Sequence, residues 1–148
     1  MVKTTHSPEE TMALAARLTQ MLKGGEVLAL HGDLGGGKTT FTKGLAETLK
    51  VEESITSPTF VMLKKYPAKI DNQKIEFIHI DAYRAESLDD IKSVGIEDFL
   101  NRTDVIMVVE WAEKILEILP AKIININFKV VDEKTREITI EGLDDFSN

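Results

Sequence analysis

A glycine-rich loop between an apolar segment and an amphipathic one is the feature that most restricts how this chain can fold. The sequence HGDLGGGKTTF at residues 31–41 has four glycines, at positions 32, 35, 36 and 37. An apolar run at residues 26–31 precedes the loop, and KTTFTKGLAETLK follows it with apolar residues at helical spacing. Glycines do not fill a core, so we expect another group to approach this backbone closely.

The loop matches the P-loop pattern G-x-x-x-x-G-K-[ST] from Gly32 to Thr39. Its N–H groups can turn inward around a polyphosphate, and the helix beginning at Lys38 points its positive dipole end at the same anion. Lys38 can reach the β- and γ-phosphates, Thr39 can ligate Mg²⁺, and Thr40 lies near the α-phosphate. A bare glycine-rich turn is the alternative, but the flanking strand and helix favour a phosphate site. The predicted nucleotide-binding residues are Gly32, Asp33, Leu34, Gly35, Gly36, Gly37, Lys38, Thr39 and Thr40.

Two carboxylates at predicted strand ends are candidates for holding or polarising Mg²⁺. Asp81 ends the strand predicted at residues 75–81, and Glu110 ends the strand predicted at residues 105–110. The carboxyl ends of parallel strands converge on one crevice, so both side chains can reach a metal there. The alternative for either acid is a helix cap or a surface position.

Other polar and aromatic residues are weaker candidates. Thr59, in the segment SPTF, lies in a loop of the kind that can order around a γ-phosphate, although Ser-Pro alone indicates only a turn. We expect His79 to face the side of the sheet opposite Asp81, as a packed or capping histidine. Arg84 can contact phosphate or pair with a surface acid, and Trp111 can belong to the core or face a partner.

The rest of the chain predicts helices and strands of one α/β domain spanning residues 1–148. A capped helix begins after Ser7 and ends at Gly24 and Gly25. Residues 67–74 indicate a polar hairpin loop, residues 86–101 a helix interrupted at Gly95, and residues 112–119 a short helix. KIININFKVV and REITIE alternate with period two, which predicts a hairpin. The predicted fold is a P-loop NTPase-like three-layer sandwich, with a mixed, mostly parallel sheet and an antiparallel C-terminal hairpin.

Composition excludes several classes of protein. The formal net charge of −7 argues against a surface that itself grips nucleic acid, because neutralising phosphates requires clustered Lys and Arg. The sequence has no cysteine, so disulfides and thiolate chemistry are excluded. Neither a signal peptide nor an apolar stretch of about 18 residues is visible. We expect a cytoplasmic protein with no membrane association.

Four motifs together resemble one family. GDLGGGKTTFTKG, SPTF, HIDAYR and VVEWAEK occur in the order and spacing of the bacterial TsaE (YjeE) family, small ATPases required for threonylcarbamoyladenosine modification of tRNA. The similarity runs from the first helix to the C-terminal hairpin. Ala82 stands where the family pattern usually has leucine, and Gly36 where alanine is more frequent; both departures are mild.

The resemblance implies roles for individual residues. Residues 32–40 would bind ATP and release ADP, and Thr39 and Glu110 would be magnesium ligands. Asp81 would lie near the metal or the attacking water, and Thr59 would belong to a switch-like loop. Lys38, Asp81, Glu110 and Thr59 are therefore the predicted catalytic residues. Trp111 would lie beside the site and Arg136 near the nucleotide.

The resemblance also implies partners. The family acts with a two-protein threonylcarbamoyl-transferase complex of the TsaB and TsaD type, so that contact with tRNA is indirect. None of the four arginines lies in an obvious lid, which predicts weak ATP hydrolysis that the partners stimulate. A small-molecule or nucleoside kinase is the alternative, but it would need an arginine-bearing lid. A guanine-nucleotide switch would need an N-K-x-D motif, which the sequence lacks.

Overall fold

The fold is built on a mixed β-sheet with helices against both faces. The computed structural model describes residues 1–33, 35–56 and 62–143. Within these residues the sheet has seven strands in the order β1-β7-β6-β2-β5-β4-β3. The strands are β1 (Val2–Thr5), β2 (Val27–Gly32), β3 (Leu63–Ile70), β4 (Gln73–Asp81), β5 (Val105–Glu110), β6 (Ile124–Val130) and β7 (Arg136–Glu141).

The centre of the sheet is parallel and its two sides are antiparallel. Strands β6, β2, β5 and β4 pair in parallel. On one side of them β7 pairs antiparallel with β6, and β1 pairs antiparallel with β7. On the other side β3 pairs antiparallel with β4. β5 is buried along its whole length because both faces of the sheet are covered. The predicted mixed α/β sandwich is confirmed. Only β7 of the C-terminal hairpin runs against the central strands, since β6 extends the parallel part.

Two long helices cover one face of the sheet, and shorter helical segments cover the other. The helices are α1 (Pro8–Thr19), α2 (Lys38–Thr48) and α3 (Leu88–Lys92), with 3₁₀ turns at Ile96–Asp98, Ala112–Lys114 and Leu116–Ile118. Leu28 and Leu30 of β2 pack with α1 and α2, whereas Val27 and Ala29 pack with α3 and the 3₁₀ turns. The alternation of β2 thus divides the core into two layers.

A close crossing of α1 and α2 orients the start of α2. Ser7 caps α1 by accepting a hydrogen bond from the backbone N–H of Glu10 at 3.1 Å, as predicted. A Cβ on Gly44 of α2 would lie 2.9 Å from the Cβ of Ala15 in α1. Only glycine permits this approach. Because α2 begins directly after the glycine loop, the crossing also fixes where that loop lies.

The prediction of a polar loop at residues 67–74 is wrong. β3 continues through Pro67 to Ile70, and β4 begins at Gln73. The connection is a two-residue turn in which Asp71 and Asn72 have φ values of 48° and 67°, the left-handed pair that tight hairpins require. Proline misled the prediction because β3 is an edge strand, where proline is tolerated.

Several helical segments are shorter than predicted. α1 ends at Thr19 and not at the following glycines, and residues 86–101 form only α3 and one 3₁₀ turn. Residues 112–119 form two 3₁₀ turns in place of a helix. These segments are held by single buried side chains such as Ile91, Ile96 and Ile115, so packing replaces helix propagation. Within the described residues, no helix combines the length and hydropathy needed to cross a membrane.

Candidate functional site

The glycine loop joins the end of β2 to the start of α2. Gly32, Gly35 and Gly37 have φ values of +133°, +78° and +104°, and Gly36 donates its N–H to the carbonyl of Asp33 at 3.1 Å. A Cβ on Gly32 would lie 2.4 Å from the backbone oxygen of Phe128 in β6. A side chain there would collide with backbone. The sequence therefore needs glycine at this position for packing as well as for conformation.

Lys38 turns back over the loop from which α2 begins. Its side chain is buried, and Nζ donates a hydrogen bond to the carbonyl of Gly32 at 2.7 Å. Nζ also lies 5.2 Å from the centre of the Trp111 ring, within cation–π range. Thr39 and Thr40 follow in the first turn of α2 and line the same pocket. The loop thus presents an ammonium and two hydroxyl side chains to one cavity.

Asp81 and Glu110 lie side by side at the carboxyl ends of β4 and β5. The two residues are register partners in the parallel pairing, and each is less than 10% exposed. Oδ1 of Asp81 accepts a hydrogen bond from the backbone N–H of Tyr83 at 2.9 Å. Oε2 of Glu110 lies 2.9 Å from Nε2 of His79. Both carboxylates line the pocket with Lys38, so the strand ends converge there as the sequence predicts.

Arg136 joins the C-terminal hairpin to the glycine loop. Its Nε donates to the carbonyl of Gly35 at 3.1 Å, and its Nη1 donates to the carbonyl of Asp132 at 2.8 Å. The pKa of Asp132 is lowered, mainly by a hydrogen bond from the backbone N–H of Lys134 and to a smaller extent by hydrogen bonding with Thr135. The β6–β7 turn is therefore organised around Asp132, and Arg136 connects it to the loop.

These elements enclose one pocket with a volume of about 880 Å³. This volume lies in the usual range for small-molecule sites. Its lining combines the strand-end acids and Trp111 with residues of the β1–α1 junction and the β6–β7 turn. The lining residues are His6, Ser7, Pro8, Thr11, Gly35, Gly37, Lys38, Thr39, Thr40, Asp81, Tyr83, Glu110, Trp111, Glu133, Lys134 and Arg136.

Comparison with known proteins gives the family. A family model described as "Threonylcarbamoyl adenosine biosynthesis protein TsaE" matches residues 5–138. The chain belongs to the TsaE family. Its relatives include "tRNA threonylcarbamoyladenosine biosynthesis protein TsaE" of Bacillus subtilis, 41% identical over 94% of this chain and 84% of that protein. The protein of the same name from Treponema pallidum is 35% identical over 92% of this chain and 96% of that protein.

A solved structure gives the same grouping. The crystal structure of YdiB from Bacillus subtilis superposes with a TM-score of 0.76 at 34% sequence identity. The match covers 99% of this chain and 88% of the YdiB chain. The similarity of this TsaE-family chain to YdiB therefore extends over the whole sheet and over the helices on both faces.

The expected position of His79 in this TsaE-family chain is wrong. His79 does not face away from Asp81; it is buried on the same side of β4 and contacts Glu110. Residues two apart on a strand point to the same face, so the spacing of His79 and Asp81 itself predicts that both side chains lie on one face of the sheet. Phe77, two residues earlier, packs in the core layer of α1 and α2, which fixes the face as that of the glycine loop.

Trp111 lies beside the site in a left-handed backbone conformation, with φ of 60°. The ring centre of Trp111 is 5.0 Å from the ring centre of Tyr83. Nζ of Lys114 lies 5.9 Å from the ring centre of Trp111. Lys114 also donates a hydrogen bond to the carbonyl of Tyr83. The aromatic pair thus forms the wall of the pocket next to Lys38. Sequence reasoning did not find Tyr83 or Lys114, because the two meet across separate strand ends.

Two predicted site residues, Leu34 and Thr59, lie outside the described residues. Arg84 is exposed and is not among the lining residues. Sequence reasoning also missed the pocket wall made by His6, Ser7, Pro8 and Thr11. Nothing in their spacing relates them to the glycine loop, since it is the pairing of β1 with β7 that brings them there.

The oxygen ligands near Lys38 suit a small hard cation. Thr39 offers a hydroxyl, and Asp81 and Glu110 offer carboxylates at one wall of the pocket. Within the described part of the chain, no group of three or more His, Cys, Asp or Glu side chains forms a ready metal cage. Magnesium fits such a donor set, because it usually binds through one or two carboxylates together with water and substrate phosphates.

Proposed function

We propose that this chain is a Mg²⁺-dependent ATPase that acts in the biosynthesis of threonylcarbamoyladenosine in tRNA. Membership of the TsaE family and the names of the relatives support the pathway. One observation carries the proposed activity: Lys38, Asp81 and Glu110 meet in one pocket beneath a glycine loop of P-loop sequence. ATP is the proposed substrate, ADP the proposed product, and the proposed site of action is the cytoplasm.

Different residues of the pocket would have different roles in the proposed hydrolysis. The loop amides and Lys38 would bind the phosphates and stabilise the charge that develops during phosphoryl transfer. Thr39, Asp81 and Glu110 would hold Mg²⁺, which when bound neutralises part of that charge. Asp81 or Thr59 would orient the attacking water. Arg136 holds the carbonyl of Gly35 and so would keep the loop in its binding conformation.

Partners complete the proposal. We propose that the chain works with a two-protein threonylcarbamoyl-transferase complex of the TsaB and TsaD type, and that it meets tRNA only through that complex. Arg136 is the arginine among the pocket residues, and its Nε and Nη1 already donate to backbone carbonyls. A further cation supplied by a partner would therefore raise an otherwise slow rate of hydrolysis.

Removing Lys38 tests the proposed activity. Lys38→Ala should lower kcat/KM for ATP by roughly 100-fold or more, because the phosphates lose their main cationic contact. The matched control is Lys43→Ala, which removes an exposed lysine from the same helix and should leave the rate within about twofold. Phosphate release and calorimetric binding of ATP measure the effect. Wild-type kinetics in Lys38→Ala would refute the site.

A further inference from the structure

His79 is a buried histidine that contacts a strand-end acid, Glu110. Its residue exposure is 2%, and its Nε2 lies 2.9 Å from Oε2 of Glu110. Within the described residues, its other ring nitrogen, Nδ1, is buried and has no hydrogen-bond partner. Burying a polar ring in the layer between β4 and the helices is costly unless the ring is hydrogen-bonded, and the contact with Glu110 supplies such a bond.

The environment decides which nitrogen carries a proton. A proton on Nδ1 alone would leave a buried donor with no acceptor among the described residues, and it would set the lone pair of Nε2 against a carboxylate oxygen of Glu110. A proton on Nε2 makes the 2.9 Å contact a charge-assisted hydrogen bond and leaves Nδ1 a bare acceptor. His79 is therefore the donor and Glu110 the acceptor.

This bond restricts the carboxylate of Glu110. Because Oε2 accepts the hydrogen bond from His79, rotation of the Glu110 carboxylate is limited, and Oε1 is the oxygen that this bond does not occupy. Hydrogen bonds to a ligating carboxylate orient it and tune its affinity for the metal. The backbone contributes as well, since the carbonyl of Glu110 accepts the N–H of Ala82 at 3.0 Å and so ties the two strand ends together.

We propose that His79 is a positioning residue, which holds the carboxylate of Glu110 in the orientation that binds the Mg²⁺ of the nucleotide complex. The inference rests on the proposed function and deepens it, because it assigns a role to a residue that is not among those lining the pocket. A merely structural histidine would affect stability and leave the metal affinity of the folded protein unchanged.

Three variants of His79 separate positioning from packing. His79→Leu fills the space without a donor, whereas His79→Gln places an amide N–H near the position of Nε2. His79→Asn is polar but too short to reach Glu110. Calorimetry gives the affinity for ADP in EDTA, then the affinity of the ADP complex for Mg²⁺. Thermal melting reports folding of each variant.

The expected result is a loss confined to the metal. His79→Leu and His79→Asn should weaken Mg²⁺ binding by roughly 10-fold or more, and His79→Gln should recover it to within about threefold of wild type. ADP affinity in EDTA should stay within about twofold for all. In a Glu110→Gln background, His79→Leu should change Mg²⁺ affinity by less than about twofold, because its target is gone.

Three results would overturn the inference. One is wild-type Mg²⁺ affinity in folded His79→Leu, and another is equal Mg²⁺ affinity in the Gln and Asn variants, which decides the matter if the Leu variant does not fold. The third is a loss of ADP affinity in EDTA equal to the loss for Mg²⁺. Failure of the proposed function is distinguishable, since the wild type itself would then bind ADP without any dependence on Mg²⁺.

Discussion

At the scale of single residues, backbone contact decides identity as much as chemistry does. Gly32 needs a positive φ and also lies against the carbonyl of Phe128, whereas Gly35 has a positive φ and open space around it. The P-loop pattern requires glycine at position 32 and leaves position 35 open, and the sequence placed both glycines in the phosphate-binding loop. It could not rank the costs of replacing them, because the strand that crowds Gly32 is almost a hundred residues away.

This difference predicts unequal costs for two similar substitutions. Gly32→Ala should lower the free energy of unfolding by roughly 3 kcal/mol or more, since conformational strain adds to a clash with backbone. Gly35→Ala, the matched control, should cost about 1 kcal/mol, from φ alone. Urea unfolding followed by circular dichroism measures both. Equal losses would contradict the close approach of Phe128.

At the scale of elements, the β6–β7 hairpin acts on the glycine loop through its turn. Asp132 accepts hydrogen bonds from the N–H groups of Lys134 and Thr135, and Arg136 donates to carbonyls on both sides of the connection. The sequence predicted the hairpin from its alternation and proposed Arg136 by resemblance. It could not predict the bond from Arg136 to Gly35, which depends on the parallel pairing of β6 with β2.

The turn should respond to acid in a defined direction. Because folding lowers the pKa of Asp132, its contribution is present above the unfolded pKa and is lost as pH falls through the lower folded value. The amide signals of Lys134 and Thr135 should therefore titrate below the ordinary range of an aspartate. NMR across pH 2–6, roughly the span of carboxyl titration, measures this.

The control for that titration is Asp132→Asn, which keeps an acceptor oxygen but has no charge to lose. Its amide signals should stay flat over the same range. A titration that persists in the Asn variant would assign the pH response to another acid and would remove Asp132 from the explanation.

At the scale of the whole molecule, the sequence predicted the class of fold and the residues of the pocket better than it predicted the ends of the helices and strands. Alternation and glycine placement predicted the sheet, the sandwich and the meeting of Lys38, Asp81 and Glu110. The edge strand β1 was not predicted because the strand is short. The turn at Asp71 was not predicted because Pro67 was taken as the start of a loop, whereas β3 continues through it. Long-range pairing with β7 places β1 at the edge of the sheet, and no local pattern contains that pairing.

The proposed assembly should hydrolyse ATP faster than the isolated chain. Adding the two-protein transferase complex should raise the rate of ATP hydrolysis at least about tenfold, if a partner supplies the missing cation. Lys38→Ala with the same complex should remain inactive, which assigns the turnover to this chain. An unchanged rate, with binding verified by light scattering, would contradict the proposed partnership.

The register between β4 and β5 has a consequence for the site as a whole. A slip of one position in β5 would rotate Glu110 out of the crevice and bury it under the opposite helical layer, while every amino acid remained the same. The main-chain hydrogen bonds between β4 and β5 thus help to place the carboxylate in the pocket. An insertion or deletion far along either strand that shifted this register would remove Glu110 from the proposed site, as its replacement would.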